Sequence, residues 1–145
     1  MRTIKFQLVF DTAIGKYITK QSYTIEDFLN FRYGLDCLLE KETENFTMHD
    51  HDAFFYYEPK LIAKRQFTGL LDKNGVEVFD GDVVKSNSHK PTTFKIEFIE
   101  GGFCATQSEH NYPLDINHFY PSTGCMIEVI GNIFQHPYLL EANHD

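Results

Sequence analysis

The sequence lacks tryptophan, has few cysteines and contains no long apolar run. Its 145 residues include three cysteines, Cys37, Cys104 and Cys125, an odd number without a close pair. This spacing argues against a disulfide framework or a zinc knuckle and is typical of a reducing compartment. No stretch of 18 apolar residues exists, and residues 1–6 lack the apolar core of a signal peptide. We therefore predict a cytoplasmic protein without membrane contact.

The motifs of several enzyme classes are also absent from the sequence. It contains no HExxH or CxxC pattern, and neither Gly101-Gly102 nor Gly131 fits the spacing of a dinucleotide or P-loop fingerprint. We therefore assign no catalytic and no cofactor-binding residue. The sequence predicts a protein that is not an enzyme and that has no cofactor.

Basic residues are scarce in the C-terminal half. The net charge is −8; residues 1–66 hold nine Lys/Arg against ten Asp/Glu, and residues 67–145 hold four against eleven. Phosphate contacts supply most non-specific nucleic-acid affinity, so this charge disfavours a nucleic-acid partner. The best basic patch is Lys60, Lys64 and Arg65, for which a solvated surface is the simpler interpretation.

Aromatic residues are abundant, at 15% of the chain with 14 Phe and 8 Tyr. Phe and Tyr favour pleated, half-buried surfaces, so their abundance favours strands. Tyrosine is also common at interfaces, which is consistent with a homo-oligomer.

The N-terminal part combines strand and helix patterns. Residues 2–10 alternate apolar and polar side chains until Val9-Phe10, which predicts a strand with a bulge or a segment buried on both faces. A turn over 11–15 and a return strand over 16–20 follow. Thr24 and Asp27 resemble a capping box at the start of one helix near 24–41, and the charged and polar run at 40–45 is predicted to be its frayed end and a loop. Its apolar residues fall mostly on one face: Ile25, Phe28, Leu29, Leu35, Leu38 and Leu39.

The aromatic run at residues 53–57, AFFYY, predicts a strand buried on both faces. Interior packing is the preferred interpretation over a platform for stacking bases, because such platforms normally lie beside basic residues. Pro59 ends this segment.

From residue 61 onward the patterns are β. Asn74-Gly75 predicts a hairpin with a type I′ turn, and Gly81 predicts a second tight turn. Strands are predicted to begin at Val83-Val84 and to cover 93–99, 103–106 and 126–134. Gly131 interrupts the last of these, where it permits a bulge or a close approach. Strands at this spacing indicate a small open barrel or sandwich.

These β segments carry a resemblance to a known family. Residues 67–84, the Gly-Gly-Phe return at 101–103, residues 129–134 and the following Pro137 with 139–140 resemble the YopX-like family of phage and prophage proteins. Residues 1–6 also resemble its N-terminus, although Gln7 and Val9-Phe10-Asp11 replace the usual Arg and Trp-Asp pair. Residues 12–60 match no family pattern.

The resemblance implies an SH3-like C-terminal module, a phage or prophage origin in a bacterial host cell, and a family without an established activity. It implies no catalytic residues. The family-motif positions are expected to be structural: Thr68, Gly69, Leu70, Asp72, Asn74, Gly75, Gly81, Asp82, Gly131 and Asn132.

The predicted fold is therefore α+β and mainly β, with an N-terminal strand, one helix near 24–41 and a C-terminal SH3-like small barrel. We predict two domains. Residues 1–60 form an N-terminal α/β lobe that packs on the barrel, and residues 61–145 form the β module.

Three groups of residues could carry chemistry. His49 and His51 alternate with acids, which in an extended segment would place both imidazoles on one face as weak metal-ligand candidates; an exposed acidic loop is the simpler interpretation. The acid cluster comprises Asp72, Glu77, Asp80 and Asp82, for which hydrogen bonds to turn amides are favoured over acid–base work. The third group combines Cys104 and Cys125 with nearby histidines and tyrosines, and core filling is favoured over a nucleophile pair. Those residues are His110, Tyr112, His118, Tyr120, His136 and Tyr138.

The preferred functional hypothesis is a non-enzymatic phage or prophage accessory protein that acts by binding another protein or by self-assembly. The alternative is a nucleic-acid-associated small-barrel protein. A metal-dependent hydrolase built on the histidines and acids is third.

Overall fold

The chain divides into two compact units. The structure is a computed structural model that describes residues 4–30, 34–86, 92–107, 113–122 and 124–141. The units are Met1–Gln66 and Phe67–Asp145. Strand β4, Lys60–Leu71, crosses the division, whereas the sequence placed the domain boundary at residue 60, before this strand.

Four strands build the sheet of the N-terminal unit. They are β1 (Lys5–Thr12), β2 (Gly15–Ile18), β3 (Tyr23–Thr24) and the first part of β4. Strand β1 pairs antiparallel with the other three.

The register between β1 and β4 shifts at Val9-Phe10, where Ile62 is the extra residue on β4. Leu8, Val9 and Phe10 are all fully buried. The break in alternation therefore marks both a bulge and a segment buried on both faces, as predicted.

The helical prediction for 24–41 is confirmed in two pieces, α1 (Ile25–Asn30) and α2 (Leu35–Glu42). The capping box is present, because the Thr24 N–H donates to Asp27 Oδ2 at 2.7 Å and the Asp27 N–H donates to Thr24 Oγ1 at 3.2 Å. Gly34, at φ +71°, directly precedes α2.

The prediction of one continuous apolar face on this helix is wrong for α1. Leu38 and Leu39 on α2 are buried, but the side chains of Ile25 and Leu29 are 56% and 81% exposed. Gly34 interrupts the helical conformation before α2. The apolar side chains of α1 and α2 therefore do not have to lie on one common face. Residues 31–33 and the side chain of Phe28 lie outside the described residues.

The strand predicted at 53–57 is wrong. Helix α3 (Met48–Phe54) occupies this region and ends in a turn. Thr47 caps the helix, because its Oγ1 accepts the N–H of Asp50 at 3.1 Å. Phe54 is buried, whereas Tyr56 is 85% exposed, so the segment is not an interior strand. The local cap outweighed the β preference of the aromatic run.

The core of the N-terminal unit is a mixed aliphatic and aromatic cluster. Its buried members are Leu8, Phe10, Tyr23, Leu38, Leu39 and Phe54. The rings of Tyr17 and Phe46 meet Phe54 edge-to-face, with centroids 5.2 and 5.7 Å away. This geometry is a favoured one for aromatic pairs.

The C-terminal unit contains a five-stranded antiparallel sheet in the order β10-β6-β7-β8-β9. These strands are β6 (Asp82–Ser86), β7 (Thr92–Ile99), β8 (Gly102–Thr106), β9 (Leu114–Asp115) and β10 (Ile127–Asn132). Strand β5 (Glu77–Phe79) pairs with the end of β4. A 3₁₀ helix (Ile116–Phe119) follows β9, and α4 (Tyr138–Glu141) follows β10.

The curled sheet encloses its own apolar core. The buried members are Val78, Val84, Phe94, Ile96, Phe103, Ala105, Ile116, Phe119 and Ile127. The fold is thus α+β and mainly β with a small-barrel-like C-terminal unit, as predicted. Within the described residues, no helix has the length and apolar character needed to cross a membrane.

The hairpin at Asn74-Gly75 is confirmed, but its predicted turn type is wrong. Gly75 has φ +82°, whereas Asn74 does not have a positive φ, so a type I′ turn is excluded. The Asp72 N–H donates to the Val76 carbonyl at 2.7 Å, closing a loop of three residues. The type I′ requirement of two successive positive φ angles is met instead at Glu100 (48°) and Gly101 (84°), between β7 and β8.

Candidate functional site

The Asp72 side chain connects the Asn74-Gly75 hairpin to strand β10 by hydrogen bonds. Its Oδ1 accepts the N–H groups of Asn74 at 2.8 Å and Val76 at 2.9 Å, and its Oδ2 accepts the N–H of Val129 at 2.9 Å. Burial opposes ionisation, but the three backbone N–H groups outweigh it and lower the pKa of the carboxyl. An acid held ionised in this way is a structural acceptor rather than a proton donor.

The Thr68-Gly69-Leu70 segment forms an irregularity in β4. The Thr68 hydroxyl donates to the Val78 carbonyl at 2.8 Å and accepts the N–H of Leu70 at 3.1 Å. Gly69 has φ +86°, and the pairing with β5 shifts register across this segment. These residues shape the strand and present no reactive group.

The remaining acids of the cluster do not assemble a site. Asp82 Oδ2 accepts the N–H of Phe79 at 2.7 Å and closes the tight turn at Gly81. Among the described residues, no three His, Cys, Asp or Glu side chains are grouped to hold a metal ion. Asp72, Glu77, Asp80 and Asp82 are therefore not brought together as a two-metal centre.

Gly131 and Asn132 shape the end of β10. The register with β6 shifts between Val129 and Gly131, as a bulge requires. Asn132 Oδ1 accepts the N–H groups of Phe134 at 3.0 Å and Gln135 at 2.9 Å, which turns the chain towards α4. The predicted bulge at Gly131 is confirmed, whereas the close neighbours of this glycine are the side chains of Leu139 and His136 and not a strand.

Replacing Gly131 by alanine is expected to destabilise the protein by about 1–3 kcal/mol, the usual cost of overpacking. The new Cβ would lie 2.5 Å from Leu139 Cδ1 and 2.8 Å from His136 Nδ1. Urea unfolding monitored by circular dichroism measures the change. Gly102→Ala is the matched control, because nothing lies within 4 Å of its Cβ position. Equal stabilities for the two variants would contradict the close approach.

His49 and His51 lie on α3, so the predicted extended placement of these two metal-ligand candidates is wrong. Residues two apart on a helix point about 200° apart and cannot share one face. His51 Nε2 lies 3.8 Å from Glu40 Oε2, and its ring centroid is 4.6 Å from that of Phe55. Thr47 caps this helix, which a strand interpretation could not anticipate.

The described cysteines and histidines form no nucleophile pair, since no hydrogen bond joins them in the ranges that the structure describes. Burial and nearby carboxylates raise the pKa of Cys104, which disfavours its thiolate. Cys125 Sγ contacts the N–H of Ile127 at 3.5 Å. His136 Nδ1 accepts the N–H of Asn132 at 3.2 Å, and the His118 ring packs on Phe119.

The tyrosines that the sequence grouped with Cys104 and Cys125 have separate environments in the structure. The Tyr120 hydroxyl donates to the Leu71 carbonyl at 2.8 Å, and burial raises its pKa. Tyr138 is 59% exposed. His110 and Tyr112 lie outside the described residues.

The basic patch of Lys60, Lys64 and Arg65 is not one surface. Lys60 and Lys64 are exposed, but Arg65 is only 4% exposed. A buried guanidinium cannot contact a phosphate backbone, so the patch loses one of its three charges. The burial of Arg65 contradicts both interpretations of the three-residue patch, a nucleic-acid contact and a fully solvated surface.

Glu42, which the sequence placed in a frayed helix end, is a buried acceptor. Its Oε1 accepts the Tyr17 hydroxyl at 2.9 Å and the Lys20 N–H at 2.7 Å. Its Oε2 accepts the Tyr23 hydroxyl at 2.8 Å and the Gln21 N–H at 3.4 Å. The carboxylate joins the end of α2 to β2, β3 and the connection between them.

The tyrosines beside Glu42 are perturbed by this arrangement. Burial, and then the hydrogen bond and charge of Glu42, raise the pKa of both Tyr17 and Tyr23 well above the usual value. Both hydroxyls therefore remain protonated donors. No local sequence signal identifies this cluster, because the carboxylate meets tyrosines 25 and 19 residues away along the chain.

A groove of 510 Å³ lies beside α2 and α3 in the N-terminal unit. Its lining residues combine three carboxylates with apolar side chains: Glu40, Thr43, Glu44, Phe46, Met48, His51 and Asp52. Met48 is 82% exposed. Sequence reasoning missed this groove because its residues come from two helices, and helix α3 was not predicted.

A second exposed feature of the N-terminal unit is the segment from Tyr56 to Ile62, which we call the 56–62 surface. Tyr56, Tyr57, Leu61 and Ile62 are 85%, 50%, 36% and 46% exposed. The Tyr57 hydroxyl donates to the Thr12 carbonyl at 2.9 Å, which anchors its ring against β1. Four large exposed side chains therefore lie within seven residues of the sequence.

Together these features define a small β-rich protein in which Glu42, Asp72 and Asp82 accept hydrogen bonds that hold the fold. Its N-terminal unit has a groove and exposed apolar side chains. The chain belongs to the family described as YopX protein, whose family model matches residues 9–141. No curated protein matches it.

One solved structure similar to the chain is the crystal structure of protein EF1440 from Enterococcus faecalis. The two share 31% sequence identity, with a TM-score of 0.42. The match covers 59% of this chain and 60% of that one, so this chain spans less than two thirds of that protein.

Proposed function

We propose that this YopX-family chain is a non-enzymatic accessory protein of a phage or prophage that acts by binding another protein or a second copy of itself. It would work in the cytoplasm of the bacterial host cell, as the family resemblance implies. The observation that carries the proposal is the 56–62 surface, where two tyrosine and two aliphatic side chains are exposed within seven residues.

The chemistry of such side chains supports protein binding. Tyrosine provides large contact area with a polar end, and aliphatic neighbours gain free energy when a partner removes them from water. The family-motif residues support the proposal indirectly. The side chains of Asp72, Thr68 and Asn132 form hydrogen bonds with backbone groups. They therefore stabilise the fold and are not available for catalysis.

Self-association is expected to depend on the 56–62 surface. Light scattering after size exclusion should show a mass rising above the 16.9 kDa of one chain between micromolar and submillimolar concentration. The double variant Tyr56→Ser with Ile62→Ser should remain monomeric, because it removes apolar contact area.

The matched control is Leu71→Ser with Val76→Ser, which changes two side chains of the C-terminal unit that are each 48% exposed. This variant should associate like the wild type. A wild type that stays monomeric removes self-association and leaves a different protein as the partner. Loss of association in the control alone would contradict the assignment of the surface.

A further inference from the structure

We infer that the groove beside α2 and α3 binds a peptide segment of a partner protein that carries arginine or lysine next to an apolar side chain. The inference rests on the proposed function, because it names the chemistry of the partner that this function requires. It concerns a different surface from 56–62.

The shape of the groove suits a few side chains of an extended peptide. Its volume is 510 Å³, which is the size of a small-ligand site. Phe46 and Met48 provide apolar lining, and Met48 is 82% exposed. Methionine adapts its shape to a partner, so it suits contact with an aliphatic side chain.

The negative charge of the groove favours a positively charged partner. Glu40, Glu44 and Asp52 are exposed carboxylates, and no lysine or arginine is among the described residues that line the groove. His51 is the remaining titratable side chain, and its Nε2 lies 3.8 Å from Glu40 Oε2. An arginine or lysine placed among three carboxylates gains charge-assisted hydrogen bonds.

The aromatic ring in the groove already attracts a cation from the chain itself. The Lys20 ammonium lies 5.9 Å from the centroid of Phe46, within the range of a cation–π contact. Because Lys20 already lies beside the Phe46 ring, a guanidinium or ammonium of a partner is expected to contact the carboxylates, and its apolar neighbour to contact Phe46 and Met48. Phosphate backbones are excluded by the same carboxylates, and the apolar lining distinguishes the groove from a simple cation site.

Titration of the ¹⁵N-labelled chain with short peptides tests this inference. The probes are blocked hexapeptides that share a Leu-Leu centre, flanked by two arginines, two glutamates or two glutamines. The arginine peptide should shift the backbone amides of the groove, chiefly Glu44, Phe46, Met48 and Asp52. It should bind more tightly than the glutamine peptide, and the glutamate peptide should bind least.

Two double variants separate the groove from general charge effects. Glu44→Gln with Asp52→Asn should weaken the arginine peptide by about tenfold, as expected for two exposed ion pairs. Glu26→Gln with Asp36→Asn removes two exposed carboxylates outside the groove and should leave the affinity nearly unchanged. Added salt should weaken binding of the arginine peptide to the wild type.

The inference is overturned if the arginine and glutamate peptides bind alike, if the shifts lie outside the groove, or if no peptide binds. Those results leave the proposed function intact as long as the 56–62 surface still associates with a partner. Conversely, if the peptide binds in the groove and residues 56–62 contact no partner, the proposed interaction surface is wrong and the inference about the groove stands.

Discussion

Replacing Glu42 by alanine is expected to lower the free energy of unfolding by about 4 kcal/mol, a large part of the stability of an ordinary domain. The change removes the acceptor of two tyrosine hydroxyls and of the Lys20 N–H in a site where Glu42 is only 7% exposed. Buried donors without an acceptor each cost about 1–3 kcal/mol. Urea unfolding monitored by circular dichroism measures the loss.

The matched control is Glu40→Ala on the same helix, whose carboxylate is exposed and should contribute little. Alkaline pH gives a second readout. The pKa of Tyr17 and Tyr23 is raised in the folded chain, so their stabilisation is complete below the unfolded tyrosine value near 10 and is lost as the pH rises above it. A loss below about 1 kcal/mol in Glu42→Ala would contradict the buried-acceptor role.

Replacing Asp72 by alanine is expected to destabilise the C-terminal unit by about 3 kcal/mol, since three backbone N–H groups lose a charged acceptor. The side chain is 5% exposed, so water replaces these bonds poorly. The loss should appear in the same unfolding experiment, and amide exchange should accelerate at Asn74, Val76 and Val129.

The pH dependence of this variant has a defined sign. The pKa of Asp72 is lowered from 3.8 in the folded chain, so its stabilisation is present above that value and is lost as the pH falls below it. The difference between wild type and Asp72→Ala should therefore shrink in acid. Glu128→Gln is the control and should change stability by less than about 1 kcal/mol, because it breaks an exposed ion pair with Lys73 and keeps an oxygen that can accept from the Asn74 side chain. A difference that grows in acid would contradict the assignment.

Local patterns predicted several caps, bulges and breaks of the fold. The bulge at Val9-Phe10, the capping box at Thr24 and the break at Gly131 are each confirmed, because each depends on residues close together in the sequence. The preference of Asp72 for turn amides was predicted for the same reason. Its third bond, to Val129, spans 57 residues and could not be predicted.

Errors arose where one local preference outweighed another. The aromatic run at 53–57 has strand propensity, yet the cap at Thr47 starts a helix that includes Ala53 and Phe54. Helix α3 also places His49 and His51 at separated positions instead of on one face of an extended segment. The groove was not predicted, because an extended segment at 49–52 does not anticipate the helix that places Met48 and His51 beside Glu40.

Contacts at long range set the rest of the candidate site. Glu42 was assigned to a frayed end because its neighbours in the sequence are charged and polar. Its partners lie on other elements, and only the folded chain brings the two tyrosines to it. Likewise, the burial of Arg65 depends on tertiary packing that no charge pattern reveals.

The central claim is that the 56–62 surface contacts a protein partner, and site-specific photocrosslinking tests it most directly. The photoreactive amino acid p-benzoylphenylalanine would replace Tyr56 in one sample and Val76 in another, each produced in bacterial cells that carry the phage or prophage of the proposed origin. The account predicts a discrete cross-linked product from position 56, at about twice the 16.9 kDa chain mass if the partner is a second copy, and no discrete product from position 76. No product from position 56, or equal products from both positions, would contradict it.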